Sequence, residues 1–284
     1  MKYAVLIAAL AIACAYSADN VFAEEGALRI ISLAPSTTEI LFELGLGDSV
    51  VGVSTMCNYP SAALAKEKVG TFSQPDYEKI VSLKPTVVFA TGLEQAFTVG
   101  KLKELGIRVV VSDPSDFNEL FESIRKIARI GNKEAAAERL IRGMELELRS
   151  IDSRIALIPE QQRTTVFIEI WYQPLMTAGR NSFINDMVRR AGGRNIAYDS
   201  VRPYSYFSVE EIIRRDPACI IIGYMTKADN EAGIGNRLGW KDIAAVRDRR
   251  IYNDIPPDML LRPGPRAAQA VEKIFKRLYP QETL

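Results

Sequence analysis

The stretch Glu78-Lys-Ile-Val-Ser-Leu-Lys-Pro85, which runs into Thr86-Val-Val-Phe-Ala90, decides the fold because its pattern occurs a second time in the chain. The second copy, Glu210-Glu-Ile-Ile-Arg-Arg-Asp-Pro217, runs into Ala218-Cys-Ile-Ile-Ile222 and begins 132 residues later. In each copy a proline, which lacks a backbone N–H, ends a helical segment, and an apolar strand follows. A repeat at this distance predicts two similar lobes rather than a solenoid.

Short apolar runs alternate with helical segments on both sides of this repeat. They are rich in β-branched residues and apolar on both faces, which is typical of parallel strands covered by helices. The predicted strands span residues 28–33, 50–53, 87–90, 107–111, 165–170, 219–222 and 250–253. This order of elements predicts an α/β fold with parallel sheets.

One long helix is predicted between the two copies. Leu140, Met144, Leu148 and Ile151 follow the spacing of one helical face, and Pro159 ends the pattern. About 26 residues at about 1.5 Å each give a rod of about 40 Å. A rigid helix that joins two lobes predicts a small closing motion.

The first residues have the features of a secretory signal. Lys2 precedes an apolar run over 4–13, and Val21-Phe22-Ala23 predicts cleavage after Ala23. Alternatively, Leu10-Ala-Ile-Ala-Cys14 resembles a lipoprotein cleavage box, whose Cys14 would carry the lipid anchor. Both interpretations predict an exported, periplasmic protein. The predicted division of the chain is a signal peptide at 1–23, an N-terminal lobe at 24–131, a linking helix at 132–158 and a C-terminal lobe at 159–284.

The composition excludes several classes of function. The net charge is +1, from 36 basic and 35 acidic residues, so no basic excess predicts a nucleic-acid partner. The chain has no histidine, which excludes a Ser-His-Asp triad and a histidine metal cluster. Cys57 and Cys219 fall in different halves, and we expect two unpaired thiols. We therefore predict a binding protein without catalysis, metal site or cofactor.

Several motifs carry a resemblance to a known family. In chain order they are Arg29-Ile-Ile-Ser-Leu-Ala-Pro-Ser-Thr-Thr-Glu-Ile40, Val51-Gly-Val-Ser-Thr-Met-Cys-Asn-Tyr-Pro60, Gly70-Thr-Phe-Ser73, Ala191-Gly-Gly-Arg-Asn195 and Arg262-Pro-Gly-Pro-Arg266. Together they resemble the helical-backbone, or class III, substrate-binding proteins of ABC importers for cobalamin and ferric siderophores. The resemblance implies two Rossmann-like lobes, a ligand cleft between them, and a permease dimer with its ATPase subunits as partner. It favours cobalamin or another corrinoid as cargo, with a ferric siderophore as the alternative.

Aromatic residues after the predicted strands are candidates for ligand contact, because a corrin ring needs broad, stiff side chains with polar tips. These candidates are Tyr59, Phe72, Trp171, Tyr172, Tyr204 and Tyr206. By the resemblance, Met56, Phe72, Thr91 and Tyr204 match positions that are aromatic around the corrin. Methionine can still cover a macrocycle face, whereas threonine cannot stack.

The proline-flanked segment Asp258-Met259-Leu260-Leu261-Arg262 also matches a ligand-contacting loop of that family. Arg262 would pair with a propionamide, phosphate or carboxylate of the ligand. The alternative is a structural salt bridge. Arg180 and Arg202 are further candidates for the same role.

Helix-start signals mark the remaining candidates. Ser36 with Glu39 three residues later predicts a capping box, and Asp76 and Ser208 suit N-caps before the two repeated helices. The repeat makes Glu78 and Glu210 equivalent, one in each lobe. By the resemblance, these two glutamates dock onto arginines of the two permease subunits. Alternatively, they complement the helix dipole, and both roles are compatible.

Overall fold

A computed structural model describes residues 27–224 and 231–283; the predicted signal segment and Cys14 lie outside this part. The first sheet has the strand order β2-β1-β3-β4, and all its pairs are parallel. Its strands are β1 (Ile30–Ser32), β2 (Val50–Val53), β3 (Val87–Ala90) and β4 (Val109–Val111). The predicted α/β class is confirmed in this lobe.

The second sheet is mixed rather than parallel, which corrects the expectation. Its order is β10-β9-β5-β6-β8, and β7 pairs with β5. Its strands are β5 (Thr165–Tyr172), β6 (Leu175–Ala178), β7 (Arg194–Asn195), β8 (Tyr204–Tyr206), β9 (Cys219–Ile222) and β10 (Ile251–Tyr252). β5 turns over two residues into β6, and so short a connection allows only antiparallel pairing, which β8 continues.

Helices cover both sheets. They are α1 (Pro35–Glu43), α2 (Tyr77–Ser82), α3 (Ala96–Glu104), α4 (Phe117–Ile130), α5 (Glu134–Ile155), α6 (Phe183–Arg190), α7 (Val209–Arg215), α8 (Glu231–Gly235), α9 (Ala244–Arg247), α10 (Pro257–Leu261) and α11 (Ala267–Leu278). Among the described residues, no helix combines the length and apolar character that a membrane span requires.

The internal repeat is visible in the backbone. α2 leads into β3 and α7 leads into β9, as the sequence predicts. Before each proline stands a non-glycine residue with left-handed backbone, Lys84 at φ 47° and Asp216 at φ 41°, a conformation that such residues rarely adopt. Asp76 and Ser208 accept hydrogen bonds from the backbone N–H of Lys79 and Glu211, so both predicted N-caps are confirmed.

The long helix α5 packs against helices of both lobes. It has 22 residues and is therefore about 33 Å long. Its buried face contacts α4, α6 and α11, and one hydrophobic cluster contains Phe89 of the first lobe and Ile168 of the second. Arg125 of α4 pairs with Glu138 of α5 at 2.8 Å. The two lobes thus share one core along α5.

A buried ion cluster joins α1 to the start of α11. Glu39 is 2% exposed, and it accepts hydrogen bonds from Arg266 at 2.6 and 2.7 Å and from Arg262 at 3.4 Å. The predicted capping box is therefore wrong. Pro35 starts the helix with Ala34 as N-cap, which moves Glu39 too far along the helix to reach the cap.

The two cysteines of the described chain are buried and unpaired, which confirms that prediction. Cys219 lies in β9 inside the core, and burial raises the pKa of its thiol to about 12. It therefore acts as a small apolar side chain.

Candidate ligand-binding cleft

A cavity of about 320 Å³ lies between the lobes. The first lobe contributes Pro35, Ser36, Met56, Phe72, Thr91, Glu94, Ser112, Asp113 and Pro114. The second lobe contributes Phe183, Tyr204, Leu261, Arg262 and Pro263. Since both lobes supply wall residues, the cavity is the cleft that the predicted architecture requires.

Strand direction explains why these residues converge. In a parallel sheet all carboxyl ends lie on one edge, and the loops after them form the site. Pro35 starts the helix after β1, Thr91 directly follows β3, and Ser112 directly follows β4. Phe183 opens α6 in the second lobe and packs on Phe117 at a ring distance of 5.0 Å. The cleft floor is therefore part of the shared core.

Gln95 connects two of the wall loops. Its side chain is 1% exposed, and its Nε2 donates to the backbone carbonyl of Phe72 at 2.7 Å. Its Oε1 accepts from the backbone N–H of Thr91 at 2.9 Å. Sequence reasoning missed this residue, because a single glutamine in a loop carries no periodic signal. Gln95 fixes the loop of Phe72 to the end of β3.

Replacing Gln95 by alanine is expected to weaken ligand binding about 10-fold, because the Phe72 loop loses its anchor and two backbone groups lose their partners. Binding calorimetry on the variant measures this loss. The control is Gln161→Ala, since Gln161 is exposed and outside the cavity wall. Equal affinities of the two variants would contradict the positioning role.

Tyr204 is an aromatic wall residue with a persistent hydrogen-bond donor. Burial of its phenol, together with the negative charges of Glu94 and Asp113, raises the pKa of Tyr204 to about 12. The phenol therefore stays protonated throughout the physiological pH range. Tyr204 and Tyr206 lie in β8 rather than in a loop, which corrects the sequence expectation.

Five predicted ligand residues line the cavity: Met56, Phe72, Tyr204, Leu261 and Arg262. The others lie elsewhere. Trp171 and Tyr172 belong to the β5 strand and its hairpin rather than to a loop, and Tyr206 is largely exposed outside the wall. Arg180 and Arg202 are exposed and are not part of the cavity wall.

The segment from Asp258 to Arg262 has a larger structural role than the sequence predicts. It forms α10, in which Met259 and Leu260 are buried in the hydrophobic core. Asp258 accepts from Asn58 Nδ2 at 3.1 Å and pairs with Arg262 at 2.8 Å. A short helix must bury one apolar face, and here that face is the Met259–Leu260 pair, so these two do not reach the cavity.

Arg262 and Tyr59 both make contacts between the two lobes. Arg262 donates to Asn58 Oδ1 at 2.7 Å and to the Met56 carbonyl at 3.2 Å, besides its ion pairs. Tyr59 lies under the guanidinium of Arg266, 4.0 Å from the ring centroid. The structural salt bridge, which was the alternative for Arg262, is thus present.

Glu78 and Glu210 are exposed in the first turns of α2 and α7. Neither carboxylate has an ion pair or hydrogen bond to the rest of the described chain. The neighbouring Glu211 differs, because hydrogen bonds from Arg214 and Arg215 lower its pKa to about 2. Each lobe therefore presents one carboxylate that is free to meet a partner.

No group of three or more His, Cys, Asp and Glu side chains within 27–224 and 231–283 is arranged to hold a metal ion. The charged groups near the cleft serve ion pairs or face the cavity singly. What the arrangement offers is a binding wall of apolar rings, hydroxyl groups and two carboxylates.

Comparison with known proteins agrees with this architecture. The profile of the family described as periplasmic binding protein matches residues 30–257. An uncharacterized ABC transporter substrate-binding lipoprotein of Bacillus subtilis, YvrC, is 35% identical over 257 residues, which cover 89% of this chain and 80% of that protein.

Two solved structures are similar over nearly the whole chain. The periplasmic vitamin B12 binding protein BtuF of Vibrio cholerae has 27% identity and a TM-score of 0.76, covering 90% of this chain and 98% of that one. The periplasmic heme-binding protein RhuT of Roseiflexus sp. RS-1 has 26% identity and a TM-score of 0.79, covering 90% and 100%.

The fold and the cleft between its lobes define a class III periplasmic binding protein. The chain belongs to the periplasmic binding protein family and is a substrate-binding protein of an ABC transporter. Its relatives are periplasmic or lipoprotein substrate-binding proteins, consistent with a location outside the cytoplasm.

Proposed function

We propose that this protein captures cobalamin or another corrinoid outside the cytoplasm and delivers it to the permease of an ABC importer, without catalysing a reaction. The observation that carries the proposal is the pair of apolar walls in the cleft. Met56 and Phe72 stand on the first lobe, and Phe183 and Tyr204 on the second. A flat macrocycle offers two broad faces, which such opposed side chains can cover.

The polar wall groups suit the rim of such a ligand. Ser36, Thr91 and Ser112 offer hydroxyl groups that both donate and accept hydrogen bonds, and Tyr204 offers a phenol donor. The peripheral amides of a corrinoid both donate and accept as well. Asp258, Met259, Leu260 and Tyr59 then support the wall from behind, through α10 and the ion cluster.

A ferric siderophore is the second candidate cargo. The same three hydroxyl groups favour it, because siderophores carry many amide and hydroxyl groups at their periphery. The cleft walls alone are compatible with both classes of ligand.

Titration of the purified protein with cyanocobalamin and with ferric siderophores tests the proposal. We expect a one-to-one corrinoid complex with a Kd below about 1 μM. Phe72→Ala is expected to raise this Kd about 10- to 100-fold, because the variant loses stacking area worth roughly 1–3 kcal/mol. Phe97→Ala is the control, since Phe97 is exposed and outside the wall. No measurable affinity for any corrinoid would remove the corrinoid proposal.

We also propose that Glu78 and Glu210 anchor the two lobes on the two permease subunits. Arg29, just before β1, donates to the carbonyl of Leu83 at 2.9 Å, so the end of α2 lies at the amino edge of its sheet. Ala218 donates to Thr165, the first residue of β5, which gives the end of α7 the same position in its lobe. Both glutamates, at the opposite helix ends, therefore face the carboxyl edge where the cavity lies.

Export is part of the same proposal. We propose that the mature protein starts after Ala23, with lipidation at Cys14 as the alternative. The two lobes then correspond to 24–131 and 159–284, and 132–158 links them. Mass spectrometry of the exported N-terminus distinguishes the two processing routes.

A further inference from the structure

The described wall of the cavity has an excess of negative charge. Its charged side chains are Glu94, Asp113 and Arg262. Arg262 is 5% exposed and is neutralised by its ion pairs with Asp258 at 2.8 Å and Glu39 at 3.4 Å. Its remaining contacts, Asn58 Oδ1 and the Met56 carbonyl, also lie within the protein. Among the residues of the wall that the structure describes, a ligand therefore meets two carboxylates and no available cation.

The two carboxylates are fixed differently. Asp113 follows β4, and its Oδ2 accepts from the backbone N–H of Gly92 at 3.1 Å. A Cβ at Gly92 would lie 2.5 Å from that oxygen, so a side chain here would displace the Asp113 carboxylate. Glu94 is exposed and has no ion pair or hydrogen bond to the described part of the chain. Both charges act on the phenol of Tyr204 across the cleft, so their field reaches the opposite wall.

We infer that Glu94 and Asp113 select the ligand by charge. The cleft accepts neutral or cationic ligands whose periphery is rich in amides, and it rejects ligands that turn a carboxylate or catecholate toward this wall. The inference rests on the proposed function, since it specifies the chemistry of the cargo at the same site.

The physical reason is the environment between two lobes. A bound ligand displaces water from the cleft, and like charges repel more strongly where water is excluded. An amide N–H in the same place donates a charge-assisted hydrogen bond to a carboxylate, which is stronger than a neutral one. One change from amide to carboxylate on the ligand therefore exchanges an attraction for a repulsion.

The test uses ligands that differ in charge and little in shape. Cyanocobalamin carries peripheral amides, and partial hydrolysis converts single amides to carboxylates, which are separated as isomers. We expect at least one isomer to bind the unmodified protein about 100-fold more weakly than cyanocobalamin does. Glu94→Gln with Asp113→Asn is expected to reduce that difference to about 3-fold. Glu104→Gln, an exposed residue of α3 outside the wall, is the control and keeps the full difference.

A second pair of ligands separates this inference from the corrinoid proposal. A cationic ferric hydroxamate and an anionic ferric catecholate are titrated in parallel, and we expect the hydroxamate to bind more tightly. Equal binding of cyanocobalamin and every monocarboxylate isomer would overturn charge selection and leave the corrinoid proposal intact. If no corrinoid binds, and the double variant removes a preference for the hydroxamate, the corrinoid proposal is overturned and charge selection is left intact. Preference for the catecholate would overturn charge selection and direct attention to Arg180 and Arg202.

Discussion

Replacing Glu39 by glutamine is expected to lower the free energy of unfolding by about 3–5 kcal/mol. Within the described part of the chain, Glu39 is the acidic group that pairs with both Arg262 and Arg266, and all three side chains are mostly buried. The amide keeps the shape of the side chain but removes its charge, so Arg266 loses its carboxylate partner in a place that water hardly reaches. Arg262 retains Asp258, which limits the loss.

Chemical denaturation followed by circular dichroism measures this change. Glu43→Gln is a matched control, because Glu43 lies at the exposed end of the same helix and is expected to change stability by less than about 0.5 kcal/mol. A loss below about 1 kcal/mol for Glu39→Gln would show that the ion cluster contributes little. The variant is also expected to bind ligand more weakly, since α10 and the Met56 loop depend on Arg262.

Reversing both exposed glutamates, by Glu78→Arg with Glu210→Arg, is expected to reduce uptake at least about 100-fold while ligand affinity stays within about 2-fold. Neither side chain has a partner in the described chain, so each reversal should cost the fold only the unfavourable interaction with the helix dipole, about 0.3–1 kcal/mol. If both glutamates dock on permease arginines as proposed, each reversal replaces an attraction by a repulsion. Two such contacts on one rigid body act together, so the double variant should lose far more than either single variant.

Uptake by cells that lack their own copy of the protein measures this effect, and docking to purified importer in lipid nanodiscs separates it from expression. The matched control is Glu43→Arg with Glu160→Arg. These residues are exposed, one in each lobe. They lie at the amino edge of their sheets, opposite the edge that forms the cleft. Normal docking and uptake by the Glu78 and Glu210 variant, with normal ligand binding, would disprove the anchoring role.

The parts of the fold that sequence reasoning predicted are those with a local signal. β2, β3 and β9 have the predicted bounds, because each is a short apolar run of a buried parallel strand. β6, β7 and β8 were not predicted. They are two to four residues long and partly polar, and the pairing of β6 and β7 with β5 and of β8 with β6 is set by tertiary contacts rather than by their own pattern.

The site was less predictable for a physical reason. Met56 came from family resemblance, and Phe72 and Tyr204 came from their aromatic type as well as from that resemblance, whereas Phe183, Glu94 and Gln95 have no signal in their immediate sequence. Glu39 shows the limit most clearly. Its local pattern fits a capping box, but its partners Arg262 and Arg266 stand 223 and 227 residues away, and only the folded chain brings them together.

The core that both lobes share along α5 bears on how well the importer distinguishes ligand-bound from ligand-free protein. A shared core predicts a small hinge motion, so we expect the spacing between Glu78 and Glu210 to be nearly the same with and without ligand. The ligand-free protein would then compete with the ligand-bound protein for the same permease. If the docking proposal holds, we expect uptake to fall when ligand-free protein is present in large excess over its ligand.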